Sequence, residues 1–158
     1  MSLPSVERPA SARPSSARVL VARLGAERVA FDVVSVTEVL DAPLVHALPL
    51  MPRGVAGQLA YRGGYLTVLD PAVVLGVARA GGVGAVLVLA DAPAALWVDD
   101  AEDVWEPEES ERRSVPVGTD RLGILRGLLA RGAAVVSHVD AEALVAVALA
   151  TLRQGTDQ

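Results

Sequence analysis

Residues 57–70, GQLAYRGGYLTVLD, constrain the fold more than any other stretch of the chain. Two apolar runs flank a glycine pair, with an arginine at the junction. Two-residue links between strands use the primed turns, whose positive φ favours glycine. With Gly63 and Gly64 as the loop, Arg62 pairs with Tyr65, Tyr61 with Leu66, Ala60 with Thr67 and Leu59 with Val68. Side chains alternate across a strand. Leu59, Tyr61, Leu66 and Val68 therefore share an apolar face that belongs to a core, and Gln58, Ala60, Arg62, Tyr65 and Thr67 share the other. An arginine is costly inside a sheet and cheap beside a hairpin tip. Arg62 is thus expected outside, held by the Tyr65 ring. Asp70 as N-cap and Pro71 at the first helical position then open a short helix that Gly76 stops.

The same grammar recurs along the chain. RVLVARL (18–24) and RVAFDV (28–33) flank GAE and read as a hairpin. In VVSVTEVL (33–40), Val33, Val36, Val39 and Leu40 fall at helical spacing, which predicts a helical turn after the strand. LVHALPL (44–50) reads as a short strand closed by MPRGVAG, and ARAGGVG (78–84) as a flexible connection. AVLVLA (85–90) and ALWV (95–98) are strands, and the charged run 99–114 holds a strand piece near Val104. RLGILRGLLARGAAVVSHVD (121–140) reads as two more strands around a glycine turn. Asp140 caps a final helix whose Leu144, Val147, Ala148 and Thr151 line one face. LAYRGGYLTVLD and LLARGAAVVSHVD each carry Arg-Gly, an apolar strand and a capping aspartate, which suggests two related β units in tandem. Many short strands, regular glycine turns and few helices indicate a mainly β protein: two small β-barrels around one interior, with short helices and a C-terminal helix. Residues 1–17 are rich in Pro, Ser, Ala and Arg and read as a disordered tail without a signal peptide.

Composition removes several function classes. The 158 residues are 52% hydrophobic, enough for a sizeable interior. The net charge of -5, with no basic stripe, argues against nucleic acid and anionic membrane as partners. No apolar run approaches the length of a membrane span. Cysteine is absent, which excludes thiol chemistry and fits a cytoplasmic setting. Lysine is absent too, which excludes a phosphate-loop or Schiff-base lysine. No nucleophile elbow is present, and neither His46 nor His138 has companions at metal-ligand spacing. His138 reads as an ordinary strand residue. The acidic cluster Asp99, Asp100, Glu102 and Asp103 reads as a solvated strand end. The five aromatics are spread out and read as core. No catalytic residue, metal or cofactor is expected.

The stretches GQLAYRGGYLTVLDPAVVLG, LGAERVAFDVVSVTEVL, LPLMPRGVAG, LWVDDAEDV and LGILRGLLARGAAVVSHVDAEALV occur in an order that resembles the CheW-like family of chemosensory coupling proteins. The likeness covers about residues 18–150. Ala60, Thr67, Pro71-Ala72 and Ala95 depart from the family's Asn, Pro, Leu-Arg and Gly. The resemblance implies two SH3-like five-stranded barrels on a common core, the first mainly 25–80, the second mainly 83–140 plus the N-terminal strand, within a domain spanning 18–152 and ending in a helix over 140–153. It implies a non-enzymatic cytoplasmic adaptor. Its partners would be the cytoplasmic tip of a chemoreceptor, in a groove between the barrels, and the regulatory domain of a CheA-type histidine kinase. Val36 and Arg62 match the receptor-binding surface, and Glu38 and Gly57 match positions tied to the kinase. Val36 could equally be core, and Arg62 could pair with a carboxylate of its own domain. A divergent member that has lost kinase coupling and serves gliding or development is the alternative. A small-ligand-binding barrel would need a cluster of titratable groups in a pocket.

Overall fold

The computed structural model describes residues 18–79 and 84–156. The expected tail over 1–17 and most of the ARAGGVG connection lie outside the described residues. The chain forms β1 (Val19–Leu24), β2 (Glu27–Asp32), a 3-10 turn (Val33–Ser35), β3 (Val36–Asp41), β4 (Val55–Tyr61), β5 (Gly64–Leu69) and α1 (Pro71–Leu75). There follow β6 (Ala85–Leu89), β7 (Ala94–Val98), β8 (Asp100–Trp105), a second 3-10 turn (Glu109–Glu111), β9 (Arg112–Arg113), β10 (Leu125–Arg131), β11 (Ala134–Val139) and α2 (Ala141–Thr156).

Two sheets result. One has the order β3-β6-β7-β5-β4 and forms a middle barrel; the other, β8-β1-β2-β11-β10-β9, forms a terminal barrel from both ends of the chain. The sheets do not follow a division near residue 80. β6 pairs antiparallel with β3, and β7 pairs parallel with β5, so 85–98 complete the middle barrel. β2 pairs parallel with β11, which puts the whole first hairpin in the terminal barrel.

The apolar run of β6, and that of β1 apart from Arg23, follow from burial on both faces. Leu20, Ala22 and Leu24 of β1 meet Ala85, Leu87 and Leu89 of β6 in the core between the barrels, with Phe31, Leu96 and α2 residues Leu144, Val145 and Ala148. The alternate residues point the other way. Val19 and Val21 fill the terminal barrel with Leu129 and Val136, and Val86 fills the middle barrel with Leu59, Val68 and Ala95. Each fully buried side chain of this size contributes about 1.5–3 kcal/mol.

The tandem likeness is a structural repeat. Gly57 and Gly127, Leu59 and Leu129, Leu69 and Val139, and Asp70 and Asp140 hold equivalent places at a constant spacing of 70 residues. Asp70 N–H donates to Gly54 O and Asp140 N–H to Ile124 O, both at 2.8 Å. Both aspartates cap: Ala72 N–H donates to Asp70 at 3.0 Å and Ala143 N–H to Asp140 at 3.1 Å. The frame differs by one residue from the Arg-Gly match, so Arg131 corresponds to Tyr61 and not to Arg62.

Four local expectations are corrected. The loop of the β4–β5 hairpin is Arg62-Gly63, because Gly64 already pairs with Tyr61 and a bulge between Val55 and Gly57 fixes the register from the far end. The helical turn after β2 stops at Ser35, where pairing of Val36 with Leu89 takes over. LVHALPL forms no strand beyond a single bridge from His46 to Gln58; Pro43 and Pro49 flank it and lack the donors a ladder needs. In α2, Thr151 is exposed and donates to Val147 O, while Val145 turns inward.

Candidate functional site

The β4–β5 hairpin carries the site. Arg62 has φ +49° and Gly63 φ +82°, the left-handed pair of a primed turn. A non-glycine residue there costs of order 1 kcal/mol, and it fixes where the side chain leaves the backbone. The Arg62 guanidinium lies 5.0 Å from the centre of the Tyr61 ring, not against Tyr65, which stands 71% exposed. Its Nη2 is 3.6 Å from Glu38 Oε1. Tyr61 donates its hydroxyl to the same oxygen at 2.6 Å. The Glu38 carboxylate holds the Tyr61 phenol above its ordinary value of 10.0; partial burial adds to this and the Arg62 charge opposes it. Glu38 is therefore anchored by a hydroxyl, while the Arg62 side chain keeps 70% of its surface exposed. An ion pair this loose and exposed adds little stability. The cation is available to another acceptor.

The structure brings Glu38, Tyr61 and Arg62 together and places Val36 and Gly57 apart from them. Val36 opens β3, ahead of a bulge between Val36 and Glu38, and packs against the shared core. Gly57 is buried with φ +153°. A Cβ on it would come 2.4 Å from His46 O, so its place is to let the 45–46 segment lie against β4. A groove of about 620 Å³ lies between the β1–β2 turn, the end of α1 and residues 119–125. None of Val36, Glu38, Gly57 and Arg62 lines it.

Three polar clusters escaped the sequence reading. His138 is buried, with Nε2 2.7 Å from Asp32 Oδ1. Arg126 lies 3.5 Å from both Asp32 and Asp140. Arg131 forms a two-pronged pair with Glu111 at 2.9 and 3.1 Å and covers the Trp105 ring at 4.3 Å. The Arg131 hydrogen bonds pull the Glu111 carboxyl from 4.5 down to about 2, and Glu111 in turn raises Arg131. Arg79 lies 3.9 Å over Trp97 and pairs with Asp70 and Asp99. The Asp99 side chain is 4% exposed, so it leaves the solvated acidic cluster of the sequence reading. These pairs join residues 9 to 106 positions apart, and no spacing rule connects them. The aromatic rings were the available hint, since three arginines lie over rings first read as core.

Among the described residues, no group of His, Asp or Glu is arranged to hold a metal ion, and no helix is long and apolar enough to cross a membrane. The hairpin turn holds the Arg62 cation beside the Glu38 carboxylate of β3, an arrangement suited to docking.

The family model for the CheW-like domain matches residues 18–148. A comparison with curated protein sequences gave no match. Among solved structures, the chain is similar to the crystal structure of the scaffolding protein TtCheW from Thermoanaerobacter tengcongensis. The TM-score is 0.70 and the identity 20%, over 79% of this chain and 89% of that one.

Proposed function

The chain belongs to the CheW-like domain family, and from that premise we propose that it is a non-enzymatic cytoplasmic adaptor coupling chemoreceptors to a CheA-type histidine kinase. Arg62 and Val36 serve the receptor side, Glu38 and Gly57 the kinase side. The observation that carries this reading is the exposed Arg62 guanidinium, set by a left-handed turn beside an anchored carboxylate. A receptor tip is a helical surface of acidic and polar groups with apolar knobs. Arginine recognises carboxylates through charge-assisted, two-pronged bonds. A rigid presenter spends little ordering entropy on doing so. Glu38 offers the kinase a fixed acceptor, and Gly57 acts indirectly by seating residues 45–46 on β4. Signal passes as a change in how both partners are held, without chemistry.

Titration of each variant against a receptor signalling fragment and the kinase regulatory domain tests this. Arg62→Ala weakens the receptor arm by about tenfold or more, and Glu38→Ala does the same to the kinase arm. The circular dichroism and melting of Arg62→Ala stay at the parent's values. Unchanged binding of both variants to both partners would overturn the assignment.

A further inference from the structure

The strand order makes the chain cross between the barrels twice among the described residues. It crosses from β2 to β3 through Val33–Ser35 and from β7 to β8 through Asp99 alone. Both crossings hang from β1 or the residue before it: Val33 N–H donates to Arg18 O at 3.0 Å, and Asp99 N–H to Arg23 O at 2.8 Å. Beyond that they differ. At the first, Ser35 O accepts from Ala90 N–H at 2.9 Å, but Val34 is 80% exposed and the turn has no side-chain cap. At the second, Asp99 accepts from Gly25 N–H of the terminal barrel and from Arg79 Nη1 at 2.8 Å. Arg79 continues to Asp70 at the head of α1 and to Trp97 O at 2.8 Å, both in the middle barrel, and stacks on Trp97. The Arg79 side chain is 12% exposed. The backbone is as tight as the side chains: a Cβ on Gly25 would sit 1.9 Å from Ala78 O, and one on Gly84 2.0 Å from Val98 O.

This arrangement is an expensive way to hold a joint if stability were its sole end. One guanidinium faces two carboxylates out of bulk water, and Arg79 Nε is buried without an acceptor. Well-packed apolar groups often match or exceed such clusters in stability, whereas a polar cluster is satisfied in few geometries. We infer that Arg79 and Asp99 form a clasp that fixes the rotation of one barrel against the other, and that bending is left to the open crossing at Val33–Ser35. That crossing runs directly into Val36 and Glu38, so, on the adaptor reading above, it couples the angle between the barrels to the docking strand. Arg79 and Asp99 are positioning residues and need touch no partner.

The chain lacks cysteine, so Tyr65→Cys and Val135→Cys, exposed and equivalent places on the two barrels, take spin labels uniquely. Pulsed dipolar spectroscopy of the labelled protein should give one narrow distance. Adding Arg79→Gln or Asp99→Asn should broaden it at least about twofold while the strand signal and cooperative unfolding persist, and Arg79→Lys should recover part of the narrowing. An unchanged width in both variants would overturn the clasp. Should both variants fail to fold, amide exchange on the parent decides. The Gly25 and Asp99 amides should exchange at least about tenfold more slowly than Val33, and equal rates would overturn it. Neither readout involves a partner, so failure of the clasp and failure of the adaptor reading are separable.

Discussion

The two barrels are built from the same parts and treat their hairpin arginines in opposite ways. In the terminal barrel Arg131 is the last residue of β10, locked to Glu111 by two bonds and laid over Trp105. In the middle barrel the equivalent strand residue is Tyr61, and the arginine comes one position later, in the turn itself, with a single ion pair of 3.6 Å and a looser 5.0 Å approach to the Tyr61 ring. One residue of offset converts a fastened cation into a displayed one. The repeat thus shows what the fold needs, and the departure at Arg62 shows a cation that the fold leaves exposed.

The equivalent glycines test the comparison most severely. Gly57 and Gly127 have φ +153° and +159°, but an added Cβ meets His46 O at 2.4 Å in one case and Arg113 O at 2.9 Å in the other. Gly57→Ala should cost about 2–3 kcal/mol and Gly127→Ala about 1–2 kcal/mol in urea unfolding. Equal costs would mean that the two bulges are interchangeable supports and that Gly57 has no special tie to residues 45–46.

Acid sharpens the contrast between the arginines. Pairing with Arg131 holds Glu111 at about 2 against its ordinary 4.5. A depressed carboxyl adds stability above pH 4.5 that is lost as the pH falls toward 2. Arg131→Gln should therefore melt lower than the parent at pH 7, with the gap closing between pH 4.5 and 2. A gap that persists at pH 2 would assign the loss to stacking on Trp105. Arg62→Gly should do the smallest harm of all. It relieves the strain of a left-handed arginine and gives back some chain entropy, for a net change within about 1 kcal/mol in either direction, while receptor binding falls as in Arg62→Ala. A large loss of stability would show that the displayed cation also supports the fold.

How much of this could be read in the sequence divides along lines of range. The alternation in β4 and β5 gives the faces of Leu59, Tyr61, Leu66 and Val68 correctly despite the wrong loop, because moving the turn by one residue on both strands preserves parity. Asp70-Pro71 and Asp140 mark helix starts through local capping chemistry. The resemblance assigns Arg62 to the receptor surface and Glu38 to the kinase side, and the structure brings the two together through Tyr61. The parallel partners of β2 and β7 were out of reach, since each lies on a distant strand. His138 illustrates the limit: its companion Asp32 lies 106 residues away, and no spacing rule connects them.

The pairing of β2 with β11 also dictates an order of events during synthesis. Val29 and Ala30 leave the ribosome about a hundred residues ahead of their partners Ser137 and His138. Until then the first hairpin keeps an open, apolar flank, a template for wrong partners. The middle barrel contains its own strands and can close in the interval, offering Leu87 and Leu89 as a provisional shelter for Leu20 and Leu24. A nascent chain halted before Ala134 would have its middle barrel finished and its first hairpin left adhesive.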